Sequence, residues 1–254
     1  MANKDEEGLE ELEFVDLDAR RDMPGKAWSL ARKLEMEKAA EFITPEQVYI
    51  KAMEINNPRD RALFTMAYVC AARIEELVRY KKIRWGHKRA RVRKNGKERI
   101  TNIQDYTKKK EYPLESGTTL NDVSSSEING KKVIVFRLRN LKNKNRAEKT
   151  KLLPFPISSE TDKKLWDIIR IYLKSMPTKE MELFPIGKRQ AEKIINQTGF
   201  NPHFLRKLRL THLAKHYNFT DQMLKVFAGW SDSRPSKYYI KLGYEDVANQ
   251  MTKV

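Results

Sequence analysis

Residues 200–243 of the chain read FNPHFLRKLRLTHLAKHYNFTDQMLKVFAGWSDSRPSKYYIKLG, and this stretch decides how the rest is interpreted. Asn201 followed by Pro202 predicts a helix N-terminus, because asparagine caps a first turn and proline fits its first position. His203 and Arg206 lie three residues apart, so they share one face of this helix near its positive end. A phosphate group is stabilised at such a position.

Two further helices are predicted in the same stretch. The first ends at Gly229, and Trp230 follows that glycine directly. After a turn, Tyr238 and Tyr239 are expected on the second of these helices. Adjacent residues on a helix point about 100° apart, so only one of the two tyrosines can face a site formed with the other residues.

The order of these residues resembles the C-terminal motif of the tyrosine recombinases, the phage-integrase family. That family has His-x-x-Arg, then Gly-His or Gly-Trp, then a nucleophilic tyrosine nine residues later. In this chain the three parts end at Arg206, Trp230 and Tyr239. The resemblance implies that Tyr239 is the nucleophile, although position on the helix alone leaves Tyr238 open.

A second part of the resemblance lies upstream, behind an apolar segment at residues 57–69 that predicts a buried helix. The run 71–77, AARIEEL, resembles the family's Gly-x-Arg-x-x-Glu-Leu box with alanine at the glycine position. The match implies that Arg73 is a catalytic arginine and that Glu76 supports it from behind. From the residues alone, two partners for Arg73 stay open: a DNA phosphate, or a structural ion pair with Glu76 or Glu75.

Short strands are predicted between the two helical parts of the chain. Asn95-Gly96 indicates a hairpin within residues 88–100. Residues 101–130 are polar and are expected to form a loop.

Residues 132–138 and 151–155 are expected to pair as strands around an intervening loop. This arrangement resembles the family's β-hairpin, whose turn carries a catalytic lysine. We assign that role to Lys142, which follows the first strand closely, while Lys144 and Lys149 offer the same group in the same loop.

The charge of the chain favours a polyanionic partner. The formal net charge is +17, from 51 lysines and arginines against 34 acids. Residues 79–151 carry nearly all of this excess, which suits double-stranded DNA better than a small acidic ligand. The residues expected to contact DNA are Lys88, Arg89, Arg91, Arg93, Lys144 and Lys149.

Several other classes of protein are disfavoured. Cys70 is the only cysteine, so an intramolecular disulfide is impossible and a reducing compartment is expected. The apolar run 62–72 is too short to span a bilayer, which needs about 20 residues, so we expect an intracellular protein. His212 and His216 lie four residues apart, but no acidic cluster at ligand spacing accompanies them, which argues against a metal site.

Three segments are expected along the chain. Residues 1–24 predict a flexible acidic tail, with a DNA mimic that folds onto the basic face as the alternative. Residues 25–43 predict one helix, and residues 44–254 the catalytic domain with an insertion at about 84–131. The family resemblance implies a separate helical clamp domain, which is here reduced or replaced by the insertion or by a partner.

These patterns predict an α+β fold, mostly helical, with a small antiparallel sheet. The resemblance implies a site-specific recombinase or integrase that cleaves and rejoins duplex DNA through a 3′-phosphotyrosine, without metal, cofactor or ATP. It also implies a homotetramer on DNA and a prokaryotic, viral or mobile-element setting. Two alternatives stay open: a non-catalytic DNA-binding protein on the same fold, and a relaxing enzyme like topoisomerase IB.

Overall fold

A computed structural model describes residues 14–16, 43–94, 96–140, 150–230 and 232–238. The chain divides into two compact units, one of residues 1–38 and 81–114 and the other of residues 39–80 and 115–254. The helix expected at residues 25–43 lies outside the described residues, as does the acidic tail apart from residues 14–16.

The larger unit is built mainly from helices that begin where the sequence places capping residues. Thr44, Asn57, Ser159, Asn201 and Thr220 each accept a hydrogen bond from a backbone N–H of the first turn. The helices are α1 (Pro45–Met53), α2 (Pro58–Val69), α3 (Ile74–Leu77), α4 (Glu160–Lys174), α5 (Lys188–Asn196), α6 (Pro202–His216) and α7 (Asp221–Ala228), with short 3₁₀ helices at Leu120–Asp122 and Arg234–Tyr238.

Helix α2 forms the centre of this unit, as its apolar sequence predicts. Its residues from Ala62 to Val69 are all buried, and it packs against α1, α4, α5 and α6. Arg209 of α6 is buried beside this helix, with its guanidinium 5.4 Å from the ring centre of Tyr68 and 5.6 Å from that of Phe155. These cation–π contacts help to offset the cost of burying the charge.

A three-stranded antiparallel sheet completes the larger unit, in the order β4 (Val123–Ile128), β5 (Lys131–Arg139) and β6 (Thr150–Pro156). The predicted pairing of β5 with β6 is confirmed, and Leu138 lies opposite Lys151. Buried and exposed residues alternate along β6, so that Lys151 faces inward on the same side as Leu153 and Phe155.

The smaller unit contains a long two-stranded ribbon formed by β2 (Tyr80–Lys94) and β3 (Lys97–Glu115). The turn between them places Gly96 at φ +70°, as the predicted Asn-Gly hairpin requires. A short strand, β1 (Phe14–Asp16), pairs in parallel with β2, and Asp16 lies opposite Arg93.

The expected loop at residues 101–130 is wrong, because β3 and β4 occupy most of it. Both faces of β3 are largely polar, with Asn102 and Gln104 on one side and Thr101 and Asp105 on the other. The strand therefore lacks the apolar alternation by which strands are recognised in a sequence.

The expected α+β class, with helices and small antiparallel sheets, is confirmed. In the part of the chain that the structure describes, no helix combines the length and the apolar character needed to cross a membrane.

Candidate active site

The predicted arginine of the upstream box lies at the start of the shortest helix. Arg73 is the N-cap residue of α3, and its backbone N–H donates to the carboxylate of Glu76 at 3.1 Å. The Arg73 guanidinium also binds this carboxylate, at 2.8 Å. The structural ion pair that the sequence left open is therefore present, and it fixes Arg73 with 18% of its side chain still exposed.

Glu76 holds a second cation that sequence reasoning missed. Lys151 Nζ lies 2.8 Å from the Glu76 carboxylate, with 5% of the lysine side chain and none of the glutamate side chain exposed. The contact is an ion pair rather than a well-directed hydrogen bond, because Nζ makes no hydrogen bond of good geometry with any described residue. The available signal was a lysine at an inward position of an alternating strand.

The charges around Glu76 keep it ionised. Burial alone raises the pKa of this carboxyl, but the positive charges of Lys151, Arg206 and Arg73 outweigh it and hold the pKa below its ordinary value. Burial lowers the pKa of Lys151, and the neighbouring Glu76 carboxylate partly offsets this effect.

Arg206 is the second predicted arginine, and only 4% of it is exposed. Its guanidinium donates to the carbonyl of Ala71 and, at 2.9 Å, to the carbonyl of Ala228. Ala71 follows α2 at φ +42° and Ala228 ends α7, so Arg206 binds the carbonyl ends of two helices. Such ends carry partial negative charge and hold an arginine in place.

Trp230 follows α7 as predicted. Gly229 adopts the left-handed conformation, with φ at +68°, and closes the helix. The backbone N–H of Trp230 donates to the Lys225 carbonyl at 3.0 Å, which leaves the indole half-buried at the helix end. His203 lies in the first turn of α6 and is exposed, whereas Arg206 one turn later is buried.

The stem of the predicted lysine loop is anchored at the same site. The guanidinium of Arg139, the last residue of β5, donates to the carbonyls of Glu75 at 2.9 Å and Val78 at 2.8 Å. The next residue, Asn140, contacts Gly229 so closely that a Cβ there would lie 3.1 Å from the Asn140 Nδ2 atom. The loop therefore begins between α3 and the end of α7.

Four of the predicted residues lie outside the described residues, namely Lys142, Lys144, Lys149 and Tyr239. The 3₁₀ helix Arg234–Tyr238 ends one residue before Tyr239, where the sequence predicted a longer helix. Ser236 in this turn is fully buried, and its hydroxyl donates to the Ser233 carbonyl, which fixes the backbone leading to the tyrosines.

His212 has a structural role. Its Nε2–H donates to the Ile43 carbonyl at 2.7 Å, so the neutral ring accepts at Nδ1 from the Tyr68 hydroxyl at 2.6 Å. Burial lowers the pKa of His212 to about 4. Within the described ranges, no group of three or more His, Cys, Asp or Glu side chains is arranged to hold a metal ion.

The predicted DNA contacts Lys88, Arg89, Arg91 and Arg93 all lie on β2 of the smaller unit. They do not form one set, because residues alternate between the two faces of a strand. Lys88 lies at an even position, with the buried Ala90, whereas the three arginines lie at odd positions.

No family model matches the chain, and no curated protein matches it. Three solved structures are similar to it. The crystal structure of XerA recombinase is 13% identical, with a TM-score of 0.43 over 82% of this chain and 62% of that one. The XerH site-specific recombinase bound to its difH substrate in a pre-cleavage complex is 14% identical, with a TM-score of 0.46 over 82% of this chain and 51% of that one.

The third is the Tn1549 transposon integrase in complex with transposon right end DNA, at 11% identity and a TM-score of 0.36 over 84% of this chain and 65% of that one. This chain thus spans between half and two thirds of the length of these proteins. A likeness at this level concerns the fold alone. Over 82–84% of its length, the chain is similar to structures of recombinases and an integrase, the classes of enzyme that its motifs resemble.

Proposed function

We propose that the chain is a site-specific DNA recombinase or integrase that cleaves and rejoins duplex DNA through a 3′-phosphotyrosine. The supporting observation is the surplus of positive charge around Glu76. Arg73 and Lys151 bind this carboxylate directly, and the charge of Arg206 also lowers its pKa. Three cations against one carboxylate leave a surplus of two positive charges.

Such a surplus favours an anionic ligand, because buried cations without counter-charges are costly. A DNA phosphodiester brings one negative charge, and an attacking phenolate brings a second. Together they match the surplus in the state from which cleavage occurs. This complementarity is the electrostatic stabilisation that phosphoryl transfer requires in the absence of a metal ion.

In the proposed reaction, the phenolate oxygen of Tyr239 attacks phosphorus in line. The bond from phosphorus to the 5′-oxygen breaks, and Lys142 donates a proton to that oxygen as it leaves. The products are a 3′-phosphotyrosine and a free 5′-hydroxyl. The phosphoester bond is retained, so a 5′-hydroxyl can attack in the reverse direction and rejoin a strand without ATP.

Arg73 and Arg206 hold the two non-bridging oxygens of the phosphate in this proposal. Guanidinium groups suit that role because they present paired N–H donors in a fixed plane. Glu76 does not touch the phosphate, which it would repel, and instead orients Arg73. His203 and Trp230 add N–H donors at the rim of the site. Recombination between two duplexes requires assembly, for which we propose four protomers on DNA.

The experiment is a covalent trapping assay. The protein is incubated with a nicked suicide DNA substrate in the absence of divalent metal, and protein–DNA adducts are resolved on a denaturing gel. We expect an adduct with the wild type and with Tyr238→Phe, and none with Tyr239→Phe.

Two results would contradict the proposal. Tight, salt-dependent DNA binding without an adduct on any sequence would indicate the non-catalytic DNA-binding protein. Relaxation of supercoiled plasmids of any sequence, with no strand exchange, would indicate a relaxing enzyme without site choice.

A further inference from the structure

The two faces of the ribbon formed by β2 and β3 differ sharply. On β2, Ala90 is 0% exposed and Val92 is 1% exposed, whereas Arg89 and Arg93 are exposed. Because side chains alternate along a strand, the odd-numbered residues of this segment lie on the open face. Arg91, half-buried, belongs to the same odd series.

Strand β3 shows the same alternation with the opposite parity. Asn102, Gln104 and Tyr106 are exposed, whereas Ile103 is half-buried and Asp105 is only 5% exposed. The even-numbered residues of β3 therefore lie on an open face.

Two contacts show that these are one and the same face. The rings of Trp85 and Tyr106 pack edge to face with centres 5.4 Å apart, and the Arg93 guanidinium lies 2.8 Å from the Glu98 carboxylate. Odd residues of β2 thus meet even residues of β3 across the ribbon. The polar residues of this open face are Arg89, Arg91, Arg93, Asn102 and Gln104.

We propose that this open face reads base pairs in the major groove of DNA, an inference that rests on the proposed function and specifies how the site is chosen. The major groove admits a two-stranded ribbon. Arginine pairs with guanine and asparagine or glutamine with adenine through two hydrogen bonds each, and the face combines both kinds of side chain. The ribbon has 13 lysines and arginines against four acids, which complements the phosphates on either side of the groove.

The dimensions of the ribbon agree with this partner. Alternate residues of a strand lie about 7 Å apart, which equals about two steps of the roughly 3.4 Å repeat of DNA. Arg89, Arg91 and Arg93 therefore fall at intervals of about two base pairs. The 15 residues of β2 extend about 50 Å, which is longer than one turn of duplex.

Existing contacts of this face do not prevent such binding. The Arg93–Glu98 ion pair has 45% and 43% of its side chains exposed, and pairs of this kind contribute little in water. Strand β1 pairs with β2 at its edge, in the plane of the sheet, which leaves the face open. Lys88, on the opposite face, is suited to a phosphate rather than a base.

The test is selection of bound duplexes from a pool with a randomised centre, using the full chain. The variant Asn102→Ala/Gln104→Ala removes two base-reading amides without changing the charge. We expect it to lose the adenine preference at two positions, with the ratio of specific to non-specific affinity falling about 10- to 100-fold. Lys88→Gln is the matched control, expected to weaken binding to all sequences and to lower the salt dependence by about one ion.

Thermal unfolding of both variants shows whether the fold is intact. An unchanged selected sequence in the folded double variant would overturn the inference, as would stronger binding to duplex RNA, whose deep and narrow major groove excludes a ribbon. The adduct assay on the same proteins separates the two proposals. An adduct with an unchanged selected sequence contradicts the ribbon alone, whereas an altered selected sequence with no adduct in any variant contradicts phosphotyrosine chemistry alone.

Discussion

Lys151 and Glu76 form a buried ion pair, 2.8 Å apart, between an inward position of β6 and the third residue of α3. The pair connects the sheet to the helix whose first residue is preceded by Arg73. Since Glu76 binds Arg73 as well, the position of this arginine depends on a strand that lies far away in the sequence.

The two partners of this pair are not equivalent for stability. Glu76→Gln leaves three cations without a carboxylate, and we expect a loss of about 3–5 kcal/mol in the free energy of unfolding. Lys151→Met removes one of these cations and leaves Glu76 paired with Arg73, so its cost should be smaller by at least about 1 kcal/mol. Urea unfolding of both variants measures the difference, and equal losses would mean that Lys151 does not add to a surplus of charge.

Substitution of Arg206 by lysine should separate catalysis from DNA binding. Lysine keeps the charge but cannot reach the Ala71 and Ala228 carbonyls and a phosphate at the same time. We expect adduct formation to slow about 100- to 1,000-fold, with DNA affinity changed much less. Arg189→Lys, at an exposed position of α5, is the matched control and should cleave normally. Wild-type cleavage by Arg206→Lys would remove Arg206 from the proposed mechanism.

His212 should make the fold sensitive to acid. Its pKa is about 4 in the folded protein and about 6.5 in an unfolded chain, so the unfolded state binds the proton first as pH falls. The stabilisation due to the neutral ring is complete above about pH 6.5 and is lost progressively towards pH 4. Melting temperatures between pH 7.5 and 4.5 measure this slope.

The variant His212→Gln should be less stable at neutral pH but should show a shallower decline in this range. His216→Gln, at an exposed position of the same helix, is the control and should keep the wild-type slope. If His212→Gln retained the full slope, the acid sensitivity would come from other groups.

Ala71→Gly should stabilise the protein. Ala71 has φ at +42°, where an L residue is strained by about 1 kcal/mol, and glycine adopts this conformation freely. We expect a gain of up to about 1 kcal/mol, measured by thermal unfolding. Ala72→Gly next to it is the control, because Ala72 lies outside the left-handed region and should lose about 1 kcal/mol. A loss in Ala71→Gly would show that the methyl group matters more than the backbone strain.

Much of the larger unit could be predicted because its signals are local. Capping residues and prolines mark helix starts, and a glycine that adopts positive φ marks the end of α7, so these bounds follow from short segments. The Arg73 box was found in the same way. Its partner Glu76 was named as well, three residues away on the same turn.

What escaped prediction depends on contacts between distant segments. Lys151 reads as one of many lysines in a basic stretch, and only the pairing of β6 with β5 turns it inward. Arg209 likewise lies on a helix with other cations, and its burial follows from the rings that surround it. The length of the ribbon was missed because its polar strands lack an apolar stripe.

The pairing of β1 with β2 also bears on solubility. A long ribbon exposes unpaired backbone groups along both outer edges, where a second chain can add a strand and begin aggregation. At Phe14–Asp16, β1 occupies part of the outer edge of β2. On β3, the exposed lysines 108, 109 and 110 place like charges along the other edge, which repel an incoming copy. The edges of this ribbon are thereby protected against self-association at the high local concentrations that assembly on DNA would produce.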